Sequence, residues 1–154
     1  MKISELLAED VIRVGLESEE KEEGIEEMID VLVRAGRITD RGAALDVILE
    51  REGKQSTGIG EGVAIPHGKS ETITELTAAL GISKRGIEFD SLDGEPVQII
   101  FLLLAEKNNP GPHIEALAQV ARLFQIPGSI EDLIDAGSAG EIMDIIIAGE
   151  EREE

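Results

Sequence analysis

The two histidines of the chain, His67 and His113, are the residues whose surroundings point most directly to chemistry. His67 stands in a Pro-His-Gly turn after a short β-branched run, and His113 stands at the start of a predicted helix. Neither lies in an apolar stripe. Taken singly, each is explained well as a turn or cap residue. The glycine-rich segment 58–62, directly before His67, favours a functional site when the two are taken together.

A histidine in such a place suits reversible phosphoryl transfer. Its neutral ring nitrogen is a nucleophile, and its ordinary pKa of about 6.5 keeps that form populated near neutral pH. The transferred group spreads negative charge over three oxygens, so hydrogen-bond donors must surround it. Three sources are expected: backbone N–H groups of residues 58–62, the N-terminus of the helix after Pro112, and an arginine.

Other kinds of site fit the sequence less well. Residues 58–62 have the wrong glycine spacing for a dinucleotide loop and follow a predicted helix instead of a strand. The Gly-Lys-Ser/Thr signature of a nucleoside triphosphate site is missing. A metal-dependent hydrolase that uses both histidines remains open as a weaker alternative, although no HExxH or similar spacing supports it. We therefore expect no metal and no organic cofactor.

Composition limits the remaining classes. The 154 residues suit one domain, residues 1–154, and the core must be aliphatic because only 2% of the residues are aromatic. A formal net charge of −19 disfavours binding to nucleic acid and to anionic membranes. The longest apolar run, Ile99–Ala105, is too short to span a bilayer, and residues 1–10 do not resemble a secretory signal. We expect a cytoplasmic protein without direct membrane insertion.

The pattern of apolar residues predicts alternating helices and strands. An apolar run over Val97–Leu104 indicates a central strand buried on both faces, which requires helices on both sides of a sheet. This predicts an α/β domain with layered helices. His67 should stand at the end of a strand, and an acidic tail at about 149–154 should be frayed. The remaining predicted helices and strands are helices at Ser18–Gly36, Thr39–Glu52, after Pro112, Ser129–Gly137 and Ser138–Ile147, and strands at Val63–Ile65 and Leu76–Ile82.

The residues around His67 carry a specific resemblance. The segment Ser56–Lys69, read STGIGEGVAIPHGK, closely resembles the phosphorylation-site motif of enzyme IIA proteins of the fructose–mannitol type, a motif that the nitrogen-regulatory branch shares. The opening Ile3–Leu7, the Arg51-Glu52 pair and the segment Asn108–Phe124 fit the same family. The resemblance therefore covers nearly the whole chain, and it implies a mixed β-sheet flanked by helices.

The resemblance also implies a role for particular residues. His67 matches the histidine that accepts a phosphoryl group from the carrier protein HPr and passes it to a cysteine of a IIB domain. His113 matches a second active-site histidine, and Arg51 matches an arginine that contacts the phosphoryl group. Ser56, Thr57 and Gly58 fall in the phosphate neighbourhood, where turn formation explains Ser56 and Thr57 equally well. Lys69 and Arg122 are interpreted as solvated charges.

The resemblance implies partners as well. HPr is the expected donor, and because this chain has no cysteine, the receiving IIB domain is expected on a separate chain. Transport of fructose, mannitol or a related sugar and a regulatory role that depends on the phosphorylation state both remain open. The helix patterns leave the oligomeric state open, with a weak homo-oligomer among the options.

Overall fold

The computed structural model of the protein describes residues 2–152. The chain starts with short helices and a short strand, continues with helices and strands, and ends with three consecutive helices. The helices are α1 Ile3–Leu6, α2 Lys21–Arg34, α3 Arg41–Glu52, α4 Pro110–Gln125, α5 Ser129–Asp135 and α6 Ala139–Arg152, with a 3-10 turn at Glu9–Val11. The strands are β1 Ile12–Val14, β2 Gly58–Gly60, β3 Val63–Ala64, β4 His67–Ser70, β5 Thr77–Ile87 and β6 Val97–Glu106.

Within the described residues the strands form one mixed sheet of six strands. Strand β6 is central: β5 pairs with it antiparallel on one side, while β3 and then β4 pair with it parallel on the other. Strand β1 extends the sheet parallel to β5, and β2 closes the opposite edge antiparallel to β3. The predicted mixed α/β architecture is confirmed.

The helices cover the sheet in two groups. Helices α2 and α3 pack on each other and on β5 and β4, whereas α4, α5 and α6 pack together with α1 on the other side. Both faces of β6 are consequently sealed, and Ile99–Leu104 is fully buried, as the unbroken apolar run predicted. The described residues share one continuous hydrophobic core around this strand, mostly aliphatic but with the phenylalanines included.

Two local expectations need correction. His67 begins strand β4 instead of ending a strand, because the chain resumes pairing with β6 immediately after Pro66. Helix α4 starts at Pro110, two residues before Pro112. The fraying of residues 149–154 stays a prediction: α6 runs through Arg152, and the Glu150 carboxylate accepts a hydrogen bond from the Ser4 backbone at 3.1 Å. Residues 153 and 154 lie outside the described part.

Candidate active site

The ring of His67 is oriented by its own backbone. Its Nδ1 lies 2.8 Å from the carbonyl oxygen of Ile65, and because that oxygen can only accept, Nδ1 must carry the proton. The neutral ring therefore has its lone pair on Nε2. Pro66 forces the intervening backbone out of a regular strand, and the Pro66 carbonyl accepts from the Leu103 amide at 2.9 Å, which anchors the turn to β6. The side chain is half-buried.

Gly68 decides which way His67 points. Successive residues of a strand face opposite sides of the sheet, and Gly68 faces Val47 of α3 so closely that a Cβ would lie 3.0 Å from the Val47 Cγ2. His67 accordingly faces α4, where its ring meets the ring of His113 edge to face with centroids 5.4 Å apart. Two histidines 46 positions apart in sequence thus share one site.

His113 is buried, with 3% of its surface exposed, and both of its ring nitrogens lack a hydrogen-bond partner among the described residues. Burial is the main cause that lowers the pKa of His113 from its ordinary 6.5 to about 4, with smaller contributions from the charges of His67 and Lys69. The ring is therefore neutral at physiological pH. The prediction that His113 avoids an apolar stripe was wrong: it continues the buried side of α4, which contains Ala116, Val120 and Leu123.

A pocket of about 480 Å³ opens over the two rings. Helix α3 contributes Arg51, and the segment just after it contributes Lys54. Strand β4 contributes Lys69 beside His67, since residues 67 and 69 share a face of the strand. The rest of the lining is Val47, Glu50, Gly68, Ile114 and Leu117. In a chain of net charge −19, this pocket gathers three of the 14 lysine and arginine residues, so it is locally suited to an anion.

Lys69 has a larger role here than its sequence context suggested. The sequence identified it as a solvated charge, and its side chain is indeed exposed. It nevertheless lines the pocket, and its charge contributes to lowering the pKa of His113. Arg122 lies in the last turn of α4 and is not among the residues that line the pocket. Strand alternation after His67 was the available signal for Lys69.

The segment 56–58 uses its donors away from the pocket. The backbone N–H of Thr57 donates to Glu52 Oε1 at 2.8 Å, and its hydroxyl donates to Glu52 Oε2 at 2.6 Å. The hydroxyl of Ser56 donates to the Phe89 carbonyl and accepts from the Gly58 backbone. Gly58 belongs to β2, where Ser91 leaves no room for a side chain. None of the three lines the pocket.

The start of α4 offers fewer free amides than expected. Because the helix begins at Pro110, its first turn contains two prolines, which have no N–H. Of its first four residues only Gly111 and His113 carry a backbone donor. The cationic side chains and the His113 ring thus remain the main donors that face His67.

The site as a whole combines a nucleophile with an environment for an anion. His67 presents an unprotonated Nε2, His113 presents a neutral ring that can donate one hydrogen bond, and Arg51 can donate two from its guanidinium. The Nη1 of Arg51 already donates to the Gln55 carbonyl at 2.8 Å, which limits its movement while leaving other donors available. This arrangement can accept and hold a phosphoryl group.

Two further observations concern the described residues 2–152. They contain no group of three or more histidine, cysteine, aspartate or glutamate side chains placed to hold a metal ion. No helix among them is long and apolar enough to cross a membrane.

Comparison with known proteins gives consistent matches. Residues 5–149 match the family described as phosphoenolpyruvate-dependent sugar phosphotransferase system, EIIA 2. The chain is 42% identical over 146 residues to the PTS system fructose-specific EIIABC component of Bacillus subtilis, covering 95% of this chain but only 23% of that relative's length. The crystal structure of nitrogen regulatory protein IIA-Ntr from Neisseria meningitidis matches with a TM-score of 0.86 and 33% identity, covering 94% of this chain and 98% of that one.

A third similarity is to a protein solved with a partner. Enzyme IIA-mannitol from Escherichia coli, in its complex with phosphorylated enzyme IIB-mannitol, has a TM-score of 0.79 and 21% identity to this chain. The match covers 92% of this chain and 97% of that one. At this identity the similarity establishes a shared fold.

Proposed function

The chain belongs to the EIIA 2 family of the phosphoenolpyruvate-dependent sugar phosphotransferase system, whose members are phosphotransfer proteins, and from that premise we propose that it relays a phosphoryl group on His67. The observation that supports this most directly is the Nδ1 hydrogen bond to Ile65, which leaves Nε2 as the nucleophile in a cation-lined pocket. The proposed donor is the phosphohistidine of HPr, and the proposed acceptor is a cysteine thiolate of a IIB domain on another chain.

The transfer is a simple exchange of bonds to phosphorus. The lone pair of His67 Nε2 forms the new P–N bond while the P–N bond to the donor histidine breaks, and that electron pair returns to the donor ring. In the second step the thiolate forms a P–S bond while the P–Nε2 bond breaks, and the pair returns to Nε2. Neither step needs a metal or cofactor to balance.

The Ile65 carbonyl makes the second step easier. Phosphorylation at Nε2 leaves a proton on Nδ1, so the phosphorylated ring carries a positive charge that the 2.8 Å hydrogen bond stabilises. A ring that keeps this proton departs as a neutral imidazole, which is a far better leaving group than an imidazolate anion. The same contact thus selects the attacking nitrogen and keeps the phosphoryl group transferable.

His113 and the cations would act on the phosphoryl oxygens. A neutral His113 can donate one hydrogen bond without repelling the charged phospho-imidazole ring, and its low pKa keeps it in that form. Arg51, Lys54 and Lys69 would balance the negative charge on the oxygens during both transfers. A preorganised donor of this kind typically contributes a rate factor of about 10²–10³.

The surface beside the pocket fits docking of both partners. Ile114 of α4 is 66% exposed although it borders the pocket, and the half-buried Leu117 and Val47 continue this apolar rim. An exposed apolar surface around a charged reaction centre suits proteins that dock, transfer and separate. The structurally similar IIA-mannitol protein forms a complex with phosphorylated IIB-mannitol, which supports the same arrangement for this chain.

The test is phosphoryl acceptance. The protein is incubated with phosphoenolpyruvate, enzyme I and HPr, and intact mass is followed for one added phosphoryl group that is acid-labile and stable to alkali. His67→Ala should accept none. Acceptance by His67→Ala equal to that of the unchanged protein would remove His67 as the carrier, and no acceptance by the unchanged protein with active HPr would reject the relay.

A regulatory role is the second candidate, and the similarity to nitrogen regulatory protein IIA-Ntr favours it. Both roles require the same chemistry at His67 and differ in the receiver. If the phosphorylated protein passes its phosphoryl group to a IIB cysteine at a rate comparable to its loading, sugar transport is supported. Loading without transfer to any IIB domain, together with binding of a target protein that depends on phosphorylation, would support regulation. Genes for a IIB domain and for a membrane permease beside this one would point to transport.

A further inference from the structure

We propose that Glu52, which does not line the pocket, is a positioning residue that holds both His67 and Arg51 in their transfer geometry. The inference rests on the proposed function, because it concerns the rate of the same phosphoryl transfer. It also makes a structural claim that can be measured without any phosphoryl donor. The argument depends on the short segment 53–57 between α3 and β2, to which both active groups are tied.

Glu52 is a buried carboxylate with a complete set of partners. Only 5% of its surface is exposed. Its Oε1 accepts from the Thr57 backbone at 2.8 Å and lies 3.2 Å from Lys21 Nζ, while its Oε2 accepts from the Thr57 hydroxyl at 2.6 Å. Both donors of Thr57 are thus consumed by one side chain. A buried charge with these partners strongly resists movement, because losing any of them would leave it uncompensated.

The segment so held carries the anchor of Arg51. Arg51 Nη1 donates to the Gln55 carbonyl at 2.8 Å, and Gln55 lies between Glu52 and Thr57, the two residues that the carboxylate links. If the Glu52–Thr57 link is lost, the Gln55 carbonyl becomes free to shift. The guanidinium of Arg51 would then lose the contact that limits its position in the pocket that His67 also lines.

The same segment carries the orienting contact of His67. The Thr57 carbonyl accepts from the Ile65 backbone at 3.1 Å, and the Ile65 carbonyl in turn accepts from His67 Nδ1 at 2.8 Å. Thr57 therefore uses its amide and hydroxyl for Glu52 and its carbonyl for the strand that orients the nucleophile. Through Thr57, the Glu52 carboxylate therefore holds both the segment that anchors Arg51 and the strand that orients His67.

Helix α2 supports this arrangement from the other side. Lys21 pairs with Glu52 and also lies 5.2 Å above the ring of Phe89. The Phe89 carbonyl accepts from the Ser56 hydroxyl at 3.3 Å, which adds a second tie on the segment. Lys21 places a positive charge 3.2 Å from the buried Glu52 carboxylate, which offsets part of the cost of burying that side chain.

The experiment compares Glu52→Gln with the unchanged protein in two readouts. The first uses no phosphoryl donor: ¹⁵N NMR of the His67 ring reports the fraction of Nδ1–H tautomer and the exchange rate of that proton with water. The second is the rate of loading from phosphorylated HPr. We expect faster proton exchange, a smaller Nδ1–H fraction and loading slowed by about tenfold, because small displacements of reacting groups carry penalties of this size or larger.

Two variants of Thr57 separate positioning from loss of folding. Thr57→Ser keeps the hydroxyl donor and should retain the tautomer and the loading rate, whereas Thr57→Val removes that donor and should reproduce the Glu52→Gln behaviour. Retention of the unchanged His67 tautomer and loading rate in both Glu52→Gln and Thr57→Val would overturn the proposal.

Glu27 supplies a matched control. Its carboxylate also accepts from a hydroxyl and two backbone amides, at Ser18 and Glu17, and pairs with Arg13 at 3.2 Å, but it does not line the His67 pocket. Glu27→Gln should lower stability and leave the His67 ring and loading unchanged. If it changes the His67 tautomer as much as Glu52→Gln does, the effect is general destabilisation and the proposal fails. Should the unchanged protein not load at all, the NMR readout still decides whether Glu52 positions His67.

Discussion

The ring of His113 meets the ring of His67 edge to face at 5.4 Å, and burial lowers the pKa of His113. His67 is half-buried at the mouth of the pocket, whereas His113 is buried beneath it with a pKa lowered to about 4. In the proposed relay the two histidines would therefore have separate tasks. His67 would carry the phosphoryl group, and a neutral His113 would donate a hydrogen bond without adding a second positive charge.

Stability should depend on pH through His113. Its folded-state pKa of about 4 lies below the ordinary 6.5, so protons bind preferentially to the unfolded chain. Its contribution is fully present above pH 6.5 and is lost as pH falls toward 4, a loss of up to about 3 kcal/mol. Chemical denaturation between pH 4 and 7.5 measures this. The unfolding free energy of His113→Phe should depend less on pH over that range. The pKa values of the Glu27 and Asp30 carboxyls are also lowered, but the stability they contribute is lost at more acidic pH.

The donor capacity of His113 should appear in the transfer rate. His113→Phe preserves an aromatic ring against His67 but offers no donor, and we expect transfer to a IIB domain slowed by about 10²-fold. His113→Gln, which retains an N–H donor, should recover part of that loss. Loading and onward transfer are followed separately by quenched-flow mass analysis. Equal rates for the Phe and Gln variants would show that the hydrogen bond does not matter.

Lys69 should contribute to anion binding in a way that salt reveals. Lys69→Gln removes one of the pocket cations, and we expect loading to slow severalfold at low ionic strength, with the difference shrinking as salt is added. The pKa of His113, followed by NMR titration, should rise because a neighbouring positive charge is gone. Lys107→Gln is the control, since Lys107 is an exposed lysine paired with Glu71 at 3.2 Å and does not line the pocket.

Gly68 should be sensitive to the smallest added side chain. In Gly68→Ala the new methyl would lie 3.0 Å from Val47 Cγ2 and 3.2 Å from the Val47 backbone, which cannot rotate away. Helix α3 must then move away from β4. Arg51, which lies one turn after Val47 on the same helix, would move with it. We expect a loss of about 1–3 kcal/mol in unfolding free energy and slower loading of His67.

The control for Gly68 is a glycine of α3, the helix against which Gly68 packs. At Gly42 an added Cβ meets only the Asp40 Oδ1 at 3.8 Å, an ordinary contact, so Gly42→Ala should leave stability unchanged or slightly raised. Thermal denaturation and loading rates are measured for both variants. A Gly68→Ala protein as stable and active as Gly42→Ala would mean that α3 and β4 tolerate separation.

Much of the architecture follows from local patterns. The apolar run Val97–Leu104 predicted a central strand because only burial on both faces makes such a run favourable, and the structure confirms it. A helix was predicted over Thr39–Glu52, and α3 lies there, with the Asp40 carboxylate capping its start by accepting from the Ala43 backbone at 3.0 Å. The predicted start of α4 was wrong because Pro110 takes the first helical position, where the missing N–H of a proline costs nothing.

The candidate site was likewise predictable only in part. The sequence alone determined which residues could do the chemistry, since the identity of His67 and the motif around it are properties of neighbouring positions. Only the tertiary structure decided the rest: the burial of His113, the place of Lys69 in the pocket and the diversion of Thr57 to Glu52. Each of these depends on elements distant in sequence that pack together, and burial and hydrogen bonding between them set charge and orientation in ways that residue types cannot encode.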